Sequence, residues 1–118
     1  MTAAKIHLEG LIAKRLDGDR RRAFTLFEDD ALHAQLALID DVQGYLKYRK
    51  ATFDGWYMVR SGDSYDVYYQ ERGDRWPGKL FDSAREAAHH FFSESQYAPF
   101  ESGRAVEMPV AWWQKMGR

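Results

Sequence analysis

The first apolar side chains of this sequence recur at helical spacing. Four of them share one face of a helix over residues 3–16: Leu8, Leu11, Ile12 and Leu16. Most residues between them are good helix formers, but Gly10 weakens the pattern. Asp17-Gly18-Asp19 is a plausible turn, so a hairpin with strands near 5–12 and 22–27 is the alternative. We favour the helix.

A second helical pattern follows three consecutive acids at positions 28–30, which suit the positive end of a helix dipole. Its apolar stripe consists of Leu32, Leu36, Ile39 and Leu46, with Val42 on the flank. In this register Asp41 and Tyr48 face away from the core. The pattern predicts one helix that ends near Lys50 and is followed by a turn at Asp54-Gly55.

Two segments rich in β-forming residues, 56–60 and 65–70, then flank a two-residue turn at Gly62-Asp63. This turn sets the pairing of the strands, and alternation sorts their side chains into two faces. The expected core face carries Trp56, Met58, Val67 and Tyr69. The second face carries Tyr57, Val59, Asp66 and Tyr68. Because an exposed sheet face is normally polar, the second face needs a cover from the chain itself or from a partner.

The last regular elements are a strand over 75–81 and a helix to about Ser95. Pro77-Gly78 interrupts the strand, which is typical of an edge or a bulge. Ser83 with Glu86 three residues later forms a capping box that opens the helix. The expected buried stripe of that helix is Ala84, Ala87, Ala88 and Phe91.

Residues 96–118 form an irregular tail. The sequence therefore predicts a single α+β domain over 1–118, with a small antiparallel three-stranded sheet and two to three helices.

Composition fits one globular domain. The chain has 118 residues, of which 45% are hydrophobic and 30% are charged, and it has no cysteine to form a disulfide. The longest uncharged apolar run near the N-terminus is Leu11-Ile12-Ala13, too short for a secretory signal. No segment approaches the ~20 apolar residues of a membrane span. These features, with a net charge of −1, predict a cytoplasmic protein that does not bind membranes.

One basic cluster, Arg20-Arg21-Arg22, has the charge that nucleic-acid binding requires, and Lys14-Arg15 adds to it. Nucleic-acid platforms interleave such charge with exposed aromatic rings. Here Asp17, Asp19 and the acids at 28–30 bracket the cluster and dilute its field. We therefore expect a solvated surface and no nucleic-acid partner.

Residue types that carry catalysis or bind metals are present, but their spacing favours structural roles. The histidines lack the spacing of a metal pair and are expected to be solvated: His7, His33, His89 and His90. Asp40-Asp41 is expected on a solvated face. No serine lies in a nucleophile elbow, and there is no glycine-rich phosphate loop. The sequence predicts no catalytic residue, no metal site and no cofactor.

Aromatic residues are the unusual feature, at 15% of the chain. Tyrosine and tryptophan serve both cores and protein interfaces. Trp112-Trp113, in the tail, fits two roles. The pair is either a plug that anchors the tail to the core or an anchor for a partner protein. Both roles stay open.

An ordered set of motifs covers residues 45–92, under half of the chain. An aromatic hairpin, GWYMVRSGDSYDVYYQERG, ends in a Tyr-x-Glu-Arg-Gly turn, and KLFDSAREAAHHFF follows as a strand and a helix closed by paired aromatics. This pattern resembles small bacterial immunity proteins of polymorphic toxin systems, such as contact-dependent or type VI secretion effectors. Members often carry a cysteine in the closing helix, where this chain has alanines.

The resemblance implies a non-enzymatic protein that binds a cognate toxin as a heterodimer and blocks its active site. The second hairpin face, the turns and the tail supply the expected partner contacts: Tyr57, Asp63, Asp66, Tyr68, Glu71, Trp112 and Trp113. Two aromatic anchors beside carboxylates would suit a basic toxin cleft. The alternative is a regulatory or scaffold module that binds a different protein.

Overall fold

The computed structural model describes residues 2–97, and these form the α+β fold expected from the sequence. A 3-10 helix, Arg20–Leu26, lies between the first two α-helices. The other elements follow in chain order: α1 Ala3–Leu16, α2 Ala31–Ile39, β1 Leu46–Lys47, β2 Gly55–Ser61, β3 Ser64–Glu71, β4 Asp74–Arg75, β5 Lys79–Phe81 and α3 Ala84–Glu94. Within residues 2–97, no helix combines the length and the apolar character that a membrane crossing needs.

The helix predicted at the start of the chain is confirmed, and the alternative hairpin is wrong. The Thr2 hydroxyl caps α1 by accepting a hydrogen bond from the Lys5 amide at 3.2 Å. Asp17 ends the helix in the left-handed conformation, with φ of 53°. The buried face consists of Ala4, Leu8, Ile12 and Leu16. The segment proposed as a second strand is instead the 3-10 helix.

The second helix is much shorter than predicted, because the chain leaves it at Asp40. This residue is buried rather than solvated, and its carboxylate accepts hydrogen bonds from the amides of Val42 at 2.9 Å and Tyr48 at 2.7 Å. These bonds turn the chain back on itself, so Leu46 enters a strand and not a helix. Tyr48, expected to face away from the core, is buried.

The turned chain adds a parallel strand to the sheet. Leu46 of β1 pairs with Trp56 of β2, so the sheet is mixed and five-stranded rather than antiparallel and three-stranded. The predicted register of the β2–β3 hairpin is confirmed, with Tyr57 opposite Tyr68 and Met58 opposite Val67. Gly62 has φ of 62°, as this turn requires at its first position.

The predicted third strand is split by Pro77-Gly78 into β4 and β5, both antiparallel to β3. Gly78 passes very close to β3, since a Cβ on it would lie 2.6 Å from the Val67 carbonyl oxygen. The interruption is therefore a close backbone crossing that only glycine allows.

The final helix begins as predicted, with the Ser83 hydroxyl accepting a hydrogen bond from the Glu86 amide at 3.1 Å. Its expected stripe of alanines and Phe91 is buried. This stripe, the buried face of α1 and residues of α2 pack on the sheet face that carries Met58 and Val67. The helix-side core therefore occupies the predicted core face and leaves the second sheet face to be covered in another way.

Candidate functional site

The second sheet face carries two stacked tyrosine rings. Tyr57 and Tyr68 are directly opposite each other on β2 and β3, and their rings lie 5.0 Å apart and 2° from parallel. Both residues are buried, with 0% and 2% of their surface exposed. Neither belongs to the helix-side core. The sequence placed them correctly on this face, but it did not show what covers them.

Two cations flank the stacked rings. The Lys47 ammonium lies 5.5 Å from the centre of the Tyr57 ring, and the Arg75 guanidinium lies 4.1 Å from the centre of the Tyr68 ring. We call these four residues, one from each of β1 to β4, the tyrosine ladder. The Tyr57 hydroxyl also donates to the Phe53 carbonyl at 2.6 Å. The chain itself therefore covers the ladder, so a partner on this face would meet Arg75 and the half-exposed Phe53 before either ring.

Lys47 is the most unusual member of the ladder because it is 1% exposed. Its ammonium donates to the carbonyls of Gly44 and Asp54, each at 2.5 Å. Burial lowers the pKa of Lys47, while the nearby charges of Asp40 and Asp54 oppose that shift. The lysine thus ties the segment before β1 to the segment before β2, and it is not available to solvent.

The acids predicted as partner contacts lie in different surroundings. Asp66 forms an ion pair with Arg75, and its side chain is 14% exposed. Glu71 is partly exposed at the far end of β3 from the turn, and Asp63 is exposed in the turn. Trp112 and Trp113 lie outside the described residues. Of the predicted acids, Asp63 and Glu71 can meet a partner without breaking the ladder, and Asp63 is the more exposed of the two.

The hairpin turn is bonded by side chains that the sequence analysis did not select as site residues. The Arg60 side chain donates to the Gly62 carbonyl at 2.9 Å and pairs with the Asp30 carboxylate at 2.8 Å. The Tyr65 hydroxyl donates to the same carboxylate at 2.5 Å. These bonds join the turn to the start of α2 across 30 or more residues of sequence, which no local pattern could have indicated.

This network has electrostatic consequences at the turn. The Tyr65 hydroxyl, and after it Arg60, lowers the pKa of the Asp30 carboxyl, so Asp30 stays ionised. Burial, together with Asp30, raises the pKa of Tyr65 to about 12, so the hydroxyl remains a donor. We use the name hairpin-tip surface for the exposed residues of the turn and of the acidic segment before α2, which Asp30 joins to the turn: Glu28, Asp29, Asp30, Arg60 and Asp63. Four carboxylates and one guanidinium give it a local negative charge.

One histidine contradicts its predicted environment. His33 was expected to be solvated, but it is 3% exposed and lies under the hairpin. Its Nε2 is 2.7 Å from the Met58 carbonyl oxygen, so Nε2 must carry the proton and donate. Its ring packs edge-on against Tyr65 at 5.1 Å. In residues 2–97 no three His, Asp or Glu side chains are grouped as a metal site would need.

The basic cluster is partly neutralised by its neighbours. Arg20 pairs with Glu9 at 3.2 Å, and Arg21 pairs with Asp19 at 3.1 Å. These ion pairs partly neutralise the positive charge that would otherwise attract a phosphate backbone. The absence of a nucleic-acid partner remains a prediction.

Comparison with family models, with curated proteins and with solved structures finds no match to this chain.

Proposed function

We propose that this protein is a cytoplasmic immunity protein that binds a cognate bacterial toxin without chemistry of its own and occludes the toxin's active site. The observation that carries the proposal is the hairpin-tip surface. It is acidic, exposed and already held in one arrangement by Arg60, Asp30 and Tyr65. An inhibitor with such a preformed surface loses little conformational entropy when it binds.

The charge distribution indicates what the partner surface is like. The whole chain has a net charge of only −1, so the negative field is local to the hairpin tip rather than spread over the protein. A local acidic patch favours a basic concave surface, and active-site clefts that hold anionic substrates are of this kind. The tyrosine ladder packs on the same two strands behind the tip.

A charge-reversal experiment tests the proposal. Asp63→Lys and Glu28→Lys each reverse a charge on the hairpin-tip surface. The matched control, Asp74→Lys, makes the same change of charge in β4, beside the end of β3 that is far from the turn. We expect each tip variant to weaken binding to the toxin encoded beside this gene by about tenfold or more, mainly through the complementary charges. The control should bind as the parent chain does, and all three should unfold within about 5 °C of the parent temperature.

Three results would count against the proposal. If co-expression with the neighbouring toxin does not rescue growth, the protein is not its immunity protein. If the chain instead co-purifies with a protein that is not a toxin, the regulatory or scaffold alternative is favoured. If rescue occurs but Asp63→Lys and Asp74→Lys behave alike, the toxin binds elsewhere on the protein.

A further inference from the structure

A cleft of about 590 Å³ lies between the start of α1, the segment before β1 and the end of α3. Its floor consists of the buried side chains of Leu8 and Tyr48, and its walls include Tyr45, Leu46 and Tyr97. The volume falls in the range of about 300–1,000 Å³ that is usual for binding pockets. The cleft is separate from the hairpin-tip surface, with which it shares no residue.

The Tyr45 side chain, which forms one wall of the cleft, is unusually exposed for an aromatic residue. Tyr45 is 49% exposed, although one side of its ring lies 6.4 Å from the ring of Tyr69. Partial burial raises the pKa of Tyr45 to about 12, so the residue is a neutral, mainly apolar wall at physiological pH. A large aromatic surface beside an apolar floor is typical of a site that another group covers.

The described chain ends at the wall of this cleft. The Tyr97 hydroxyl donates to Glu9, the Arg20 guanidinium lies 5.2 Å from the centre of its ring, and the ring packs on Phe92. Tyr97 therefore makes three side-chain contacts with the described part of the chain. Twenty-one residues follow, with Trp112-Trp113 starting fifteen residues after Tyr97.

We propose that this cleft is the docking site of Trp112-Trp113 from the same chain. Fifteen residues can span at most roughly 50 Å, which is ample to return to a cleft whose wall is Tyr97. A segment tethered this closely has an effective concentration on the order of millimolar, far above that of any free partner. Asp41 and Ser95 also border the cleft, and their oxygens can accept from an indole N–H.

The proposal concerns the chain's own tail and is independent of the proposed function, so its test uses no toxin. The chain has no cysteine, and introduced thiols are therefore the only ones present. In the full-length protein, Gln43→Cys places a thiol at the cleft and Gln114→Cys places one beside Trp113. The matched control combines Gln114→Cys with Gln35→Cys, an exposed glutamine of α2 that does not line the cleft. A disulfide requires that the two Cα atoms approach to about 4.4–6.8 Å.

Equilibration in glutathione redox buffer, with mass spectrometry of the products, measures the effective concentration of each thiol pair. We expect the cleft pair to exceed the control pair by about tenfold or more. Adding Trp112→Ala and Trp113→Ala to the cleft pair should reduce its value to that of the control. Tyr45→Ala should do the same, whereas Phe53→Ala, which changes an equally exposed aromatic outside the cleft, should not.

Each other outcome overturns the proposal. Equal effective concentrations for the two pairs would show that the tail does not dock here. A disulfide that persists without the indoles would show that other residues hold the tail. A disulfide between two molecules would make a second copy the occupant. Circular dichroism of every variant verifies that the helices remain formed.

Discussion

Tyr57 and Tyr68 stack with their ring centres 5.0 Å apart and their planes 2° from parallel, on the sheet face opposite the helix-side core. This arrangement follows from the hairpin register, which makes the two residues direct neighbours across the strands. Lys47 and Arg75 then close the two ends of the stack. These two residues, which the sequence placed on a face that needed a cover from the chain or from a partner, are thus buried in a second, smaller core.

The tyrosine ladder should contribute to stability. We expect Tyr68→Ala to lower the free energy of unfolding by about 3 kcal/mol or more, because it removes a buried ring and leaves a cavity between Tyr57 and Arg75. Phe53→Ala, at a half-exposed ring near the same face, should cost less than about 1.5 kcal/mol. Urea denaturation monitored by circular dichroism measures both. Equal, small losses would show that the ladder is exposed in solution.

Two glycines should respond oppositely to alanine. A Cβ on Gly55 would lie 2.5 Å from the Tyr45 carbonyl oxygen and 2.6 Å from the Lys47 ammonium, and its φ is 141°. We expect Gly55→Ala to destabilise the fold by about 3 kcal/mol or more, through backbone strain and overpacking together. Gly10→Ala should stabilise it by about 0.5–1 kcal/mol, since nothing lies within 4 Å and α1 gains a better helix former. Thermal unfolding of the two variants tests this; a loss at Gly10 would mean that α1 is more crowded than the structure shows.

His33 should make the protein sensitive to mild acid. Burial lowers the pKa of His33 below the ordinary value of 6.5, although its bond to the Met58 carbonyl opposes the shift. Below pH 6.5 the unfolded chain therefore takes up a proton that the folded protein does not yet bind. The stabilising contribution is complete above pH 6.5 and is lost as the pH falls toward the lowered value, with a slope of at most about 1.4 kcal/mol per pH unit.

A variant that keeps the hydrogen bond but not the titration isolates this effect. His33→Gln retains an N–H donor for the Met58 carbonyl, so its unfolding free energy should fall less steeply than the parent's between about pH 6.5 and pH 5. Urea unfolding across this pH range gives the slopes, and identical slopes for the parent and His33→Gln would show that His33 does not titrate in this range.

Features that depend on neighbouring residues were predictable from the sequence. The turn at Gly62-Asp63 needs only a glycine at its first position, and strand alternation then sets which side chains share a face. The capping box at Ser83 and the stripe of α3 depend on spacings of three and four residues. In each case the residues that make the structure are close together in the chain, so local sequence carries the information.

The course of the chain between α2 and β2 was decided only by tertiary structure. The apolar spacing from Leu32 to Leu46 is compatible with one long helix, but the buried carboxylate of Asp40 binds the Tyr48 amide eight residues later and ends the helix. Leu46 then becomes part of a parallel strand. A parallel strand and a buried lysine both depend on contacts with residues that only folding brings together. The spacing of apolar residues along the chain carries no information about such contacts.

The candidate site divides in the same way. The sequence alone predicted the hairpin, its register, the pairing of Tyr57 with Tyr68 and the position of Asp63 in the turn. Tertiary structure decided that the tyrosines are covered and that Asp30 joins the turn through Tyr65, 35 residues away. The physical reason is the range of the interactions. Backbone geometry and alternation act between neighbours in sequence, whereas burial and ion pairing act between neighbours in space.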